Sequence, residues 1–106
     1  MFSKDRKLEL MRGLMWDYHY PPEHCLAVLE GKREYAGHYD EKKLFRRLLE
    51  SYRWFTIIQL LPLERINELL TDDVIASLRF ESLKTRYEFI KKRLPKLTKA
   101  AGEGIE

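Results

Sequence analysis

The chain has 106 residues, 44% of them hydrophobic and 35% charged, which allows one hydrophobic core and argues against a disordered chain. Twenty basic residues interleaved with seventeen acidic ones leave a net charge of +3, which excludes a polybasic nucleic-acid arm. The one cysteine, Cys25, excludes an internal disulfide and suits a reducing cytoplasm, and the charged opening MFSKDRKLEL reads as no signal peptide.

Apolar residues recur at helical spacing along the chain and no stretch alternates like a strand. The expectation is an all-α fold: a single compact domain of six or seven short helices over residues 1–95, with a flexible C-terminal tail over 96–106. Ser3 is the N-cap candidate of the first helix, whose apolar face is Leu8, Met11, Leu14, Met15 and Tyr18. The Tyr20-Pro21-Pro22 corner is expected to end it, because a residue before proline avoids the helical region. Pro22 suits the first turn of a second helix, which Gly31 closes.

A loop over residues 31–39 leads to Asp40, the expected cap of a third helix, EKKLFRRLLESY. Leu44, Phe45, Leu48, Leu49 and Tyr52 point to its core side, with Lys42, Lys43, Arg46, Arg47, Arg53 and Glu50 opposite. The most apolar run, WFTIIQLLPL, is about half the length of a membrane span. It reads as a buried central helix with Trp54, Phe55, Ile58 and Leu61 in the core. Pro62 stops that helix and opens a fifth, LERINELL; Thr71 caps a sixth, DDVIASLR. A last helix from Phe80 to Leu94 carries Phe80, Leu83, Tyr87, Ile90 and Leu94 on one face, and Pro95 is expected to end it.

The chemistry-bearing residues concentrate in WDYHYPPEHC, Trp16 to Cys25. His19, His24, Cys25 and His38 are of zinc-ligand type, but a double proline separates His19 from His24, and no CxxC, HxxxH or HExxH occurs. The acid pairs Asp40–Glu41 and Asp72–Asp73 sit where helix starts favour negative charge. Asp17 is the exception: at a helix C-terminus it needs a compensating cation, His19 or an arginine. Arg33 with His38 and Arg12 with His19 match a spacing found in small helical nucleases. Ten arginines and three histidines make about one such match expected by chance. A helix-turn-helix over 63–70 and 72–79 would present Asp72 and Asp73 to phosphates, which opposes binding.

No catalytic residue, cofactor or metal is therefore expected. The loop and corner gather all three histidines and five of the thirteen aromatics, the composition of a partner-contact surface. Its expected anchors are Arg33, Tyr35, His38 and Tyr39. The alternative is nucleic-acid binding on Lys42, Lys43, Arg46 and Arg47. Self-pairing through the last helix, as a homodimer, is a further expectation, and no membrane partner is.

The segments LMWDY…PPE, GHY-EKKLF-RLLES and ELLTDDVIASLRF, with Asp40 and Arg46 outside the likeness, resemble small uncharacterised bacterial helical proteins. Some of these are presumed antitoxins of nucleotidyltransferase-type toxins. The resemblance covers most of residues 10–94 and carries no catalytic motif. It implies a binding partner rather than an enzyme, and with the residue pattern it gives the expectation of a non-catalytic protein-interaction module, antitoxin-like, that binds another protein.

Overall fold

The computed structural model describes residues 1–105, with side chains described through Lys96. Seven helices form among them: α1 (Lys4–Leu14), α2 (Pro22–Leu29), α3 (Glu41–Ser51), α4 (Trp54–Leu60), α5 (Leu63–Leu69), α6 (Asp72–Ala76) and α7 (Glu81–Ile105). No strand is present among the described residues; Ala36 and Tyr39 pair only as an isolated bridge. The fold is all-α, built on one core. No helix of the described residues is long and apolar enough to cross a membrane.

Local chemistry sets the starts and stops. The side chains of Ser3, Asp40 and Thr71 accept from the backbone N–H of Arg6 (3.3 Å), Lys43 (2.9 Å) and Val74 (3.3 Å), capping α1, α3 and α6. Gly31, at φ +80°, ends α2 in a Schellman motif. Its N–H donates to the Val28 carbonyl (3.1 Å) and that of Lys32 to Ala27 (2.8 Å). Pro62 caps α5, so one residue both stops α4 and opens the next helix.

The amphipathic helix α3 lies at the centre, packed against α1, α2, α4, α5 and α6, while α7 closes over α5 and α6. Leu44, Phe45, Leu48 and Leu49 of α3 are all buried, on the face their spacing predicts. Around them pack Met11 and Leu14 of α1, Leu26 and Leu29 of α2, Ile57 and Leu60 of α4, and Tyr87 and Leu94 of α7.

Several expectations are corrected. Helix α1 stops at Leu14, before the prolines, and residues 15–18 turn out of it. In α4 the buried face is Ile57 and Leu60, continued by Leu61, while Phe55 is 69% exposed and is not a core residue. Phe55 lies two positions, about 200° of helix rotation, from Ile57, and seven residues offer room for one apolar face only. Trp54 and Ile58 are half-buried, Trp54 with its ring edge-on to Tyr87 at 6.2 Å.

Helix α6 ends at Ala76, and Phe80 precedes α7 with its side chain 56% exposed. Its carbonyl takes the first rungs of α7, from Leu83 and Lys84 (both 3.1 Å). Pro95 does not end α7, which continues to Ile105. Leu94 is fully buried and holds the preceding turn on the core, and the residues that follow, KLTKAA, are mostly good helix formers. The flexible tail expected over 96–106 falls almost entirely outside the residues with described side chains.

Ile57→Ala is expected to lower unfolding stability by about 2–5 kcal/mol. Phe55→Ala, at an exposed site, is expected to stay within about 0.5 kcal/mol of the parent. Urea denaturation of both variants checks the placement of α4. Burial pushes the Tyr52 and Tyr87 hydroxyls up from their ordinary value of 10.0, so the folded state holds these protons more tightly. Their contribution is complete below pH 10.0 and is lost as pH rises through the raised values. The urea midpoint is expected to fall above about pH 10, less so in Tyr87→Phe.

Candidate functional site

Beyond Leu14 the chain leaves helical geometry at Met15, whose N–H still donates to the Met11 carbonyl (3.0 Å). The turn brings Asp17 and Tyr18 over α3, where the Arg47 guanidinium meets three acceptors from two segments. Its Nε donates to the Leu14 carbonyl (2.9 Å), one terminal nitrogen to the Tyr39 hydroxyl (3.1 Å), and the other to the Asp17 carboxylate. Asp17 thus finds its compensating cation in an arginine rather than His19. Arg47 supplies positive charge to the C-terminus of α1, where the helix dipole favours it. Burial opposes that charge, but the Tyr39 hydroxyl and Asp17 outweigh it and raise the Arg47 pKa.

An aromatic cluster packs on this guanidinium. Its central carbon lies 5.6 Å from the Tyr18 ring centre and 5.9 Å from that of Tyr39. Tyr18 and Tyr20 stack at 5.2 Å, and His38 and Tyr39 meet Tyr18 edge-on at 5.5 Å. Hydrogen bonding to Tyr39, with charge and burial adding to it, raises the Tyr18 pKa. The Tyr20 hydroxyl and His38 Nδ1 are hydrogen-bonded at 2.7 Å. Residues 36–39 form a tight turn closed by Ala36 N–H to Tyr39 carbonyl (2.9 Å) and its reciprocal (3.0 Å). Gly37 adopts φ +62° there, and a Cβ at that position would fall 2.1 Å from the Tyr20 ring.

Between this cluster and α3 opens a cleft of about 730 Å³. Its walls are the end of α1, the 36–39 turn, the outer face of α3 and the Arg79–Phe80 link into α7. Four cations, Lys43, Arg46, Arg47 and Arg79, line it against one carboxylate, Glu50. Glu50 is already occupied: one oxygen accepts from the Arg79 backbone N–H (2.8 Å), and the other lies 3.6 Å from Arg46 Nε. Among the described residues, the side chains of Lys43 and Arg79 make no ion pair. Trp16, 80% exposed, and Phe80, 56% exposed, add apolar surface to the cleft.

The residues expected to act together are thereby redistributed. His38 and Tyr39 join Lys43, Arg46 and Arg47 in the cleft. Arg33 and Tyr35 border a separate shallow recess of about 430 Å³, where Arg33 Nε donates to the Tyr35 carbonyl (2.7 Å). Lys42 points away, 3.8 Å from Asp73. Arg53 lies beyond α3, as the N-cap of α4.

Trp16, Arg79 and Phe80 were not among the expected site residues. Trp16 had a signal, since it lies off the Met11–Leu14–Met15–Tyr18 face. Arg79 and Phe80 had none, because they reach the cleft only when α6 packs on α3 and carries the link that follows it to the outer face of α3.

His24 is half-buried on α2 and Cys25 fully buried. Burial pushes the Cys25 thiol up, which opposes the thiolate that nucleophilic chemistry needs. Among the described residues no three His, Cys, Asp or Glu side chains gather as a ligand set for a metal ion. The cleft therefore offers positive charge, hydrogen-bond donors and ring surface.

No family model, curated protein or solved structure matches the chain.

Arg47→Lys is expected to lower stability by about 1–3 kcal/mol despite keeping the charge, because one ammonium cannot replace the guanidinium fork on three acceptors. Asp17→Asn should cost less, since the Leu14 and Tyr39 contacts remain. A double-mutant cycle by urea denaturation measures the coupling between Arg47 and Asp17.

Proposed function

We propose that this protein is a non-catalytic protein-interaction module of the cytoplasm that binds through the basic cleft and the loop beside it. The observation that carries the reading is the exposure of Trp16 and Phe80 beside Lys43 and Arg79, on walls held in place by Arg47. Tryptophan and arginine dominate binding energy at protein interfaces, where desolvated rings anchor and charge selects the partner. His38 extends this surface at the turn, and Tyr39 supports it from beneath. Arg33 and Tyr35, the latter 56% exposed, lie on the same loop and give the surface a second contact area. Inhibition of a toxin-type enzyme, the role implied by the resemblance of the sequence, is one form such a module takes. Neither cofactor nor metal enters this reading.

Nucleic-acid binding is the second reading, and the cation content of the cleft favours it. Three of its four expected contacts are otherwise engaged, Lys42 with Asp73, Arg46 with Glu50 and Arg47 within the fold. That leaves fewer phosphate contacts than the row in α3 suggests.

Co-purification from native cells, at low and high salt and with and without nuclease, separates the readings. A stoichiometric protein partner that survives nuclease and is lost in Trp16→Ala is expected. Nucleic acid alone, released by salt and unaffected by Trp16→Ala, would refute the module.

A further inference from the structure

We infer that the cleft receives an acidic segment of the partner in which carboxylates alternate with apolar side chains. This rests on the protein-interaction reading and assigns the chemistry of the surface it binds.

Charge complementarity is the first ground. Of the four cations in the cleft, Arg47 is paired with Asp17 and Arg46 shares Glu50, leaving Lys43 and Arg79 without an ion pair among the described residues. Glu50 repels an incoming carboxylate only weakly, since Arg46 and the Arg79 N–H already face its two oxygens. A like-signed partner would leave Lys43 and Arg79 uncompensated as water is excluded. The second ground is the mixture of surfaces. The rings of Trp16 and Phe80 offer apolar area where a uniformly charged ligand would leave it wet. A segment that alternates carboxylates and aliphatic side chains satisfies both. A nucleic-acid strand would add stacking on Trp16, but it brings a phosphate at every step to a site with few cations to receive them.

The test uses the full chain carrying Trp54→Phe, which leaves Trp16 as the one tryptophan and makes its emission a reporter of the cleft. Three probes of equal charge are titrated: a peptide alternating Glu and Leu, a Glu-only peptide, and a single-stranded oligouridylate. The alternating peptide is expected to shift Trp16 emission to shorter wavelength and to bind about tenfold more tightly than either other probe. Lys43→Glu with Arg79→Glu should weaken it by about tenfold or more, whereas Lys92→Glu, on the exposed side of α7, should change it less than about twofold. Circular dichroism verifies that each variant retains its helices.

Tighter binding of the oligouridylate, equal loss in Lys92→Glu, or no emission change with any peptide each overturns the inference. The two levels fail separately. If a protein still co-purifies through Trp16 while no acidic peptide engages the cleft, the acidic segment is refuted and the module stands. If no protein co-purifies and the oligouridylate is preferred, both fall.

Discussion

The termination of α1 by Arg47 is the interaction on which the rest of the site depends. A helix leaves its last carbonyls unpaired by its own backbone, and they need donors or water. Here one donor arrives from α3, 33 residues further along the chain, and the same guanidinium holds Asp17 and the Tyr39 hydroxyl. Arg65 repeats the device on α2. Its Nε donates to the Leu29 carbonyl (2.7 Å) from α5, while its terminal nitrogens reach Glu41 (2.7 Å) and Glu68 (3.0 Å). Both helices of the N-terminal pair thus end on an arginine from a later helix. Planar geometry makes arginine suited to several acceptors at once.

This division of labour explains the shape of the cleft. The row of cations on α3 looks uniform in sequence, yet each member meets a different fate. Arg47 turns inward to hold the fold, Arg46 leans on Glu50, Lys42 faces Asp73 across the surface, and Lys43 remains directed into the cleft. The Tyr20 ring over Gly37 closes the turn that presents His38. A surface ordered in this way before it meets a ligand has less conformational freedom to lose on binding.

Much of the fold was legible because it rests on local rules. The caps at Ser3, Asp40 and Thr71, the Gly31 terminator and the Leu44–Phe45–Leu48–Leu49 face each depend on residues within a few positions of one another. What was not legible depends on distant partners. Phe55 and Ile57 are equally apolar, and only the packing of a seven-residue helix chooses which is buried. Pro95 is a helix breaker by propensity, and buried Leu94 holds the turn before it in place. The cleft joins segments far apart in sequence, so its members looked like separate surfaces. Asp17 lay between these cases: its awkward position was visible, while its partner in α3 was not.

The two arginine terminators also impose an order on the chain as it is made. When α1 and α2 have left the ribosome, Leu14 and Leu29 still lack the donors supplied by Arg47 and Arg65. These arginines emerge 33 and 36 residues after the carbonyls they satisfy. At synthesis rates of about 5–20 residues per second, that interval lasts on the order of seconds. During it the carbonyls of Leu14 and Leu29 have only water to donate to them. The N-terminal pair of helices therefore gains both of its terminators only once α5 has been made.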